Sequence, residues 1–172
     1  MKTVHFMIFL LSLAVFSGCD RETSMDFGNK EVDNYVQSLL AGQCKSGLPA
    51  FTEKDIPALL KYRDDTRIIK NFPYNPISSY CCFDCRLGMY VLWTIESIRA
   101  NSTGGKNVIL GYPSQTPILA LRDATSLILV DDDESHKTAA QAYYHWWRSN
   151  DNKKFDTFNM TDPLANTKYR WH

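Results

Sequence analysis

The chain has 172 residues, of which 44% are hydrophobic, and its 19 Lys and Arg are balanced by 19 Asp and Glu. This length suits one domain that buries about two-thirds of the surface of its unfolded chain. A formal net charge of zero gives no electrostatic case for a nucleic-acid partner, because such proteins carry a basic surface.

Residues 1–18 have the features of a sorting signal. Lys2 supplies the positive start, and the apolar run from Phe6 to Phe16 is too short to span a bilayer comfortably. The small residues just before Cys19 resemble the lipobox of bacterial lipoproteins. That resemblance implies cleavage before Cys19 and lipidation of its side chain, for example with palmitate. The alternative is an ordinary secretory signal followed by a chance cysteine.

Cleavage at this point would remove Lys2 and no acidic residue, which leaves a mature net charge of about −1. The acidic residues Asp20 and Glu22 resemble the surface-export signals of Bacteroidetes lipoproteins, so we expect an outer-membrane location with the leaflet left open. Residues 19–30 are polar and patternless, which predicts a lipid-anchored tether. Residues 31–172 then form a single domain.

Two helices are expected in the first part of this domain. Apolar residues recur at helical spacing from Glu31 to Leu40, and Gly42 stands where a helix C-cap belongs. The sequence Thr52-Glu53-Lys54-Asp55 resembles a capping box, which predicts a second helix from about Asp55 to Arg63.

The longest apolar helical pattern runs from Ser78 to Asn101. Ile68, Ile69 and Phe72 precede it as a short extended piece, after which two prolines exclude a helix. Ser78 or Ser79 is a good N-cap. Because this helix is apolar on most of its circumference, we expect it to be the buried core of the domain.

The C-terminal half contains one further clear helix, from about Ser135 to Arg148. It follows an acidic run that suits a helix N-terminus. Before it, 118–122 is a short helix or an extended piece, and 126–130 is a short buried strand or an irregular apolar run. From Asn150 on, we expect an extended arm that wraps the domain. The fold class is therefore mainly α: a helical bundle or HEAT-like helix packing with long irregular loops and at most two short strands.

With Cys19 lipidated, four cysteines remain: Cys44, Cys81, Cys82 and Cys85. An exported protein can form disulfides, and four cysteines allow three complete pairings. If 81–85 starts a helix, Cys81 and Cys85 lie too far apart to bond well. We favour a bridge from Cys44 to the 81–85 cluster, with Cys82 to Cys85 as the second choice.

Other chemistry for these cysteines is less favoured. A thioredoxin-like redox site needs a strand before its C-x-x-C, and a zinc site usually has two such knuckles. A cysteine hydrolase needs a nearby base, and the mature histidines are His136, His145 and His172. The run 131–134 lacks the spacing and glycine of an EF-hand. We therefore predict no catalytic residue, no metal and no cofactor.

The last helix is rich in aromatic residues. An exposed aromatic platform could stack on sugar rings, although aromatics at helical spacing more often belong to a core. The candidate platform consists of Tyr143, Tyr144, Trp146 and Trp147.

Several segments together resemble a domain-of-unknown-function family of Bacteroides-type lipoproteins: 55–60 (DIPALL), 76–80 (PISSY), 92–99 (LWTIESIR), 142–147 (AYYHWW) and 162–164 (DPL). The resemblance covers nearly all of the mature chain. It implies a mostly helical, single-domain envelope protein, and it implies no activity. No functional residue is transferred beyond Cys19.

The leading functional hypothesis is a lipid-anchored helical interaction or scaffold module of the cell envelope. Its partners would be the membrane, through the lipid on Cys19, and an unknown protein or glycan. The first alternative is a surface lipoprotein that binds a glycan or peptide through the aromatic helix, and the second is a cysteine-dependent hydrolase.

Overall fold

The computed structural model describes residues 29–44, 47–80, 84–104, 108 and 110–172. The α-helices in these ranges are α1 (Lys30–Leu40), α2 (Ile56–Leu60), α3 (Leu87–Ser102) and α4 (Asp133–Arg148). The strands are β1 (Ile68–Lys70), β2 (Asp84–Arg86), β3 (Leu119–Leu121), β4 (Leu129–Val130) and β5 (Tyr169–Trp171). Two 3₁₀-helices cover Glu53–Asp55 and Phe155–Thr157. Within the described ranges, every helix is too short or too polar to cross a bilayer.

The expected mainly α class is wrong, because the fold is mixed α and β. Strands β1 and β2 form a two-stranded antiparallel sheet, and a second antiparallel sheet has the strand order β4-β3-β5. The expectation of at most two short strands failed because the partners are distant in sequence. Leu119 of β3, for example, pairs with Trp171 of β5. Short segments of this kind become strands through their partners rather than through their own pattern.

Helix α3 is the centre of the core, as its apolar sequence predicts. It packs against α1, α2 and α4, and most of its residues are buried. The fully buried large side chains on it are Leu87, Tyr90, Leu92, Trp93 and Ile95. A helix buried on nearly its whole surface must be covered by other elements on every side. The two sheets and the C-terminal segment supply part of that cover.

The start of α3 differs from the expected N-cap at Ser78 or Ser79. The residues just before Leu87 form β2 and pair with β1, with Cys85 opposite Ile69. The first N–H groups of the helix donate to backbone carbonyls, from Leu87 to Arg67 and from Gly88 to Asp65, both at 2.8 Å. Because a distant turn satisfies these donors, no capping side chain is needed.

The two N-terminal helices agree with their sequence signals. Asn29 caps α1 by accepting from the N–H groups of Glu31 and Val32 at 3.0 and 3.3 Å. Gly42 ends this helix with φ +64°, a left-handed conformation that favours glycine. The predicted capping box of Thr52 and Asp55 is present. Helix α2 is shorter than expected and ends at Leu60.

The C-terminal half is more regular than the expected arm. Helix α4 forms as predicted and is capped by Asp132, which accepts from the N–H of Ser135 at 2.7 Å. Of the two alternatives for 118–122, the extended one is confirmed as β3. The tail after Asn150 contains a 3₁₀-helix and ends in β5, so part of it completes a sheet instead of lying over the surface.

Gly88 marks a very close approach between α3, the 63–65 turn and α4. A Cβ at this position would lie within 3.0 Å of the Arg63 carbonyl oxygen and of Nε2 of His136. Those two atoms are themselves hydrogen-bonded at 2.7 Å, with the imidazole N–H donating. Only a glycine allows the helix start, the turn and the histidine to meet in this way.

We predict that Gly88→Ala destabilises the fold by about 2 kcal/mol or more, because the added methyl overpacks a backbone contact. Alanine is otherwise the better helix former, so the gain in helix propensity opposes the loss. Gly47→Ala is the matched control, since its Cβ would meet only the Tyr112 hydroxyl, at 3.7 Å. Urea unfolding of both variants measures the effect, and equal midpoints would contradict the prediction.

Candidate functional site

The most promising cavity is a groove between the second half of α4 and the 161–167 segment. Its volume is about 460 Å³, within the range of small-molecule sites. The helix wall consists of Thr138, Gln141, Ala142, His145, Trp146, Ser149 and Asn150, and the opposite wall of Thr161, Asp162, Pro163, Asn166 and Thr167. We call this cavity the α4 groove.

Most polar side chains of the α4 groove have no hydrogen-bond partner in the part of the chain that the structure describes. Among the described residues, no side-chain hydrogen bond is made by Thr138, Gln141, His145, Ser149, Thr161 or Asn166. Hydroxyl and amide groups both donate and accept hydrogen bonds. They therefore line an open groove while remaining available to a ligand.

The floor of the α4 groove is apolar, and one of its residues carries an unpartnered buried donor. Pro163 and Trp146 are buried and Ala142 is half-buried. Nε1 of Trp146 is one of two buried side-chain atoms in the described part of the chain that have no hydrogen-bond partner, the other being Nε of Arg122. An unsatisfied buried donor is costly, and such groups often mark a functional position.

Asp162 contributes little free charge to the α4 groove. Its Oδ2 accepts from Nη2 of Arg122 at 2.9 Å, and its Oδ1 accepts from the N–H of Leu164 at 2.8 Å. The same Arg122 nitrogen also donates to the carbonyls of Leu164 and Tyr169. The Asp162 carboxylate therefore holds the 161–167 wall in place, and its charge is already neutralised by Arg122.

Two other cavities are weaker candidates. One of about 370 Å³ is lined by Arg86, Asp133 and His136 among others, but its arginine is already paired with acidic residues. Arg86 binds Asp133 at 2.5 Å and Asp131 at 3.5 Å. The other, beside Glu96 and Met160, has only about 150 Å³.

A buried ion pair supports the α4 groove from below. Nη1 of Arg99 lies 2.6 Å from both carboxylate oxygens of Glu96, and the two side chains are only 10% and 14% exposed. The other guanidinium nitrogens donate to the carbonyls of Asn159 and Thr161, each at 2.9 Å. The guanidinium also lies over the ring of Trp146, 5.6 Å from its centroid. The ion pair thereby connects α3 to the 161–167 wall of the α4 groove and to Trp146 in its floor.

Tyr143 extends this network to α4 and β5. Its hydroxyl donates to Oε1 of Glu96 and accepts from Nε1 of Trp171 at 2.8 Å. Burial raises the pKa of Glu96, opposed by the charge of Arg99. Burial, followed by the nearby Glu96 charge, raises the pKa of Tyr143 well above its usual value. The phenol therefore stays protonated and keeps donating to the carboxylate.

The structure divides the predicted aromatic platform. Tyr143 is fully buried and Trp146 is 6% exposed, whereas Tyr144 and Trp147 are half-buried. The guanidinium of Arg63 covers the ring of Tyr144, 4.4 Å from the centroid. Trp147 packs near Phe155 and Phe158. Of the four, only Trp146 lines the α4 groove.

Of the five cysteines, the structure describes Cys44 and Cys85. Cys19, Cys81 and Cys82 lie outside the described residues. Cys85 lies in β2, so the helical spacing used to weigh its pairings does not apply to it. Its thiol lies 3.8 Å from the Pro117 carbonyl oxygen. Cys44 is half-buried and forms no disulfide with a described cysteine, and burial raises the pKa of its thiol. A bridge from Cys44 to Cys81 or Cys82, and the second choice of a bridge from Cys82 to Cys85, stay predictions.

Two of the three histidines predicted for the mature chain, and the acidic run 131–134, have structural partners. His136 binds the Arg63 carbonyl, and Nδ1 of His172 binds the Thr116 hydroxyl at 2.8 Å. His145 is exposed and lines the α4 groove. Among the described residues, no three His, Cys, Asp or Glu are grouped as a metal would require.

Reasoning from sequence missed the α4 groove. Thr138, Gln141, His145 and Ser149 share one face of α4 at helical spacing, but a polar helix face usually only meets solvent. The opposite wall lies in an aperiodic tail, where no pattern predicts its position. The signal in the sequence was therefore limited to the helical spacing of these four polar residues.

Comparison with known proteins shows the family and no more. The model of a domain of unknown function matches residues 26–172. No curated protein and no solved structure matches the chain.

Proposed function

The chain belongs to the DUF4943 family, a family of domains of unknown function, and we propose that it is a lipid-anchored lipoprotein of the bacterial cell envelope. We further propose that it binds a glycan or a peptide in the α4 groove. The observation that carries the binding proposal is a set of hydroxyl, amide and imidazole groups around an apolar floor, none of which has a hydrogen-bond partner among the described residues. Sites of this kind combine apolar contact with a few polar groups that orient the ligand.

The support for the anchor lies in the first 19 residues. A positive start, a short apolar run and small residues before Cys19 together resemble a lipoprotein signal of the Bacteroidetes type. Each buried methylene of an acyl chain contributes about 0.8 kcal/mol, so two or more chains on one cysteine hold a protein stably at a bilayer. We place the anchor in the outer membrane.

A second candidate function is an interaction or scaffold module. Leu127 and Ile128 are 55% and 45% exposed, and they directly precede β4, an edge strand of its sheet. Exposed apolar residues beside a strand edge are common where another protein docks. The third hypothesis, a cysteine hydrolase, has no such observation in its favour.

The anchor predicts the behaviour of a Cys19→Ala variant in a bacterial host that lipidates exported proteins. The wild-type protein is expected to incorporate an alkyne analogue of palmitate and to sediment with membranes, and Cys19→Ala is expected to do neither. Cys44→Ala is the matched control and should behave as the wild type. Equal labelling of the wild type and Cys19→Ala would contradict the anchor.

The binding proposal predicts specific hits for the full-length protein, purified in detergent, on a glycan array and a peptide array. Gln141→Ala and Asn166→Ala should weaken those hits about tenfold each, the effect of one lost hydrogen bond at the upper end of its usual range. Asn34→Ala and Gln37→Ala remove exposed amides from α1 and should change nothing. Hits that survive Gln141→Ala and Asn166→Ala, or no hits at all, would overturn the proposal.

A further inference from the structure

We infer that the ligand of the α4 groove is a neutral oligosaccharide longer than a disaccharide, lying along α4. This inference rests on the proposed function and narrows its ligand class. It depends on three properties of the α4 groove: its length, the absence of unpaired charge, and the kind of hydrogen-bonding group that it presents.

The α4 groove is long and shallow. Its helix wall runs from Thr138 to Ser149, eleven residues apart, which at 1.5 Å per residue is about 16 Å. The opposite wall contributes residues from Thr161 to Thr167. An elongated site of this kind suits a chain of sugar rings better than a single ring, because a single ring would leave much of its lining uncovered.

The charge of the lining disfavours an anionic chain. No Lys or Arg is among the described residues that line the α4 groove. Asp162 is the only acid there, and both of its oxygens are engaged, by Arg122 and by the Leu164 N–H. An acidic polysaccharide would therefore lose its hydration without gaining a cation, whereas a neutral ligand has no such cost.

The hydrogen-bonding groups favour sugar hydroxyls over a peptide backbone. An extended peptide usually binds by adding to an exposed strand edge, and a helical peptide needs a row of apolar pockets. Here one wall is a helix whose backbone groups bond internally. Among the described residues, the apolar surface of the floor comes from Ala142, Trp146 and Pro163 alone. The side chains of Thr138, Gln141 and Asn166 both donate and accept, as sugar hydroxyls do.

Trp146 adds a recognition feature to this floor. Trp146 lines the α4 groove with 6% of its surface exposed, and aromatic rings pack well against the apolar faces of sugars. Its Nε1–H lacks an acceptor in the described part of the chain.

Isothermal titration of the full-length protein in detergent tests this inference. The probes are neutral gluco-, manno- and xylo-oligosaccharides as di-, tetra- and hexasaccharides, together with hexagalacturonate and an alternating Gly-Ala hexapeptide. We expect at least one neutral series to bind, with the tetrasaccharide about tenfold tighter than the disaccharide. Gln141→Ala and Asn166→Ala should weaken the tetrasaccharide about tenfold each, while Asn34→Ala and Gln37→Ala leave it unchanged.

The outcomes separate the two proposals. Suppose that no neutral saccharide binds, but that hexagalacturonate or the peptide does and Gln141→Ala weakens that binding. This result overturns the inference and leaves the proposed function standing. Equal affinity for di- and tetrasaccharides overturns the claim of an extended ligand. Binding of none of the probes, or binding insensitive to the groove variants, overturns both.

Discussion

The buried pair of Glu96 and Arg99 is the interaction on which the rest of the architecture depends. A charge removed from water is costly unless it is paired and its remaining hydrogen-bonding groups are satisfied. Here the guanidinium meets both carboxylate oxygens and two backbone carbonyls, and the carboxylate also accepts from Tyr143. Removal of either charge would leave its partner unpaired, so α3, α4 and the 159–161 segment must keep their mutual positions.

This constraint explains how an irregular segment, 158–168, can form a fixed wall of the α4 groove. The 158–168 segment contains no strand or α-helix, and loops of this kind are usually variable and mobile. Arg99 holds the carbonyls of Asn159 and Thr161 from the core side, and Arg122 holds Asp162 and the Leu164 carbonyl from the sheet side. The hydroxyl and amide side chains above them are thus presented from a fixed backbone, which is what a binding site requires.

The sequence was sufficient to predict that four helices form, but not where α3 begins, which strands pair or where the α4 groove lies. Helices α1 and α4 carry local signals, such as the Gly42 cap and the acidic start of α4, and local signals suffice for a helix. Cys85 was assigned to a helix because its pairing with Ile69, in a strand sixteen positions earlier, leaves no trace in its own neighbourhood. The α4 groove was missed for the same reason, since it needs α4 and a distant aperiodic tail to lie together. Glu96 and Arg99 lie three residues apart on one helix, but neither their burial nor their contacts to 159–161 could be read from that spacing.

A double-mutant cycle of Glu96→Met and Arg99→Met, measured by urea unfolding, tests this account most directly. Each single change is expected to cost about 3–5 kcal/mol, because it leaves one buried charge without its partner. The double variant should cost less than the sum of the single changes by about 2 kcal/mol or more, since neither charge remains. Single effects that add to within about 0.5 kcal/mol would mean that the two residues act independently, and the claim that their pairing organises the fold would be wrong.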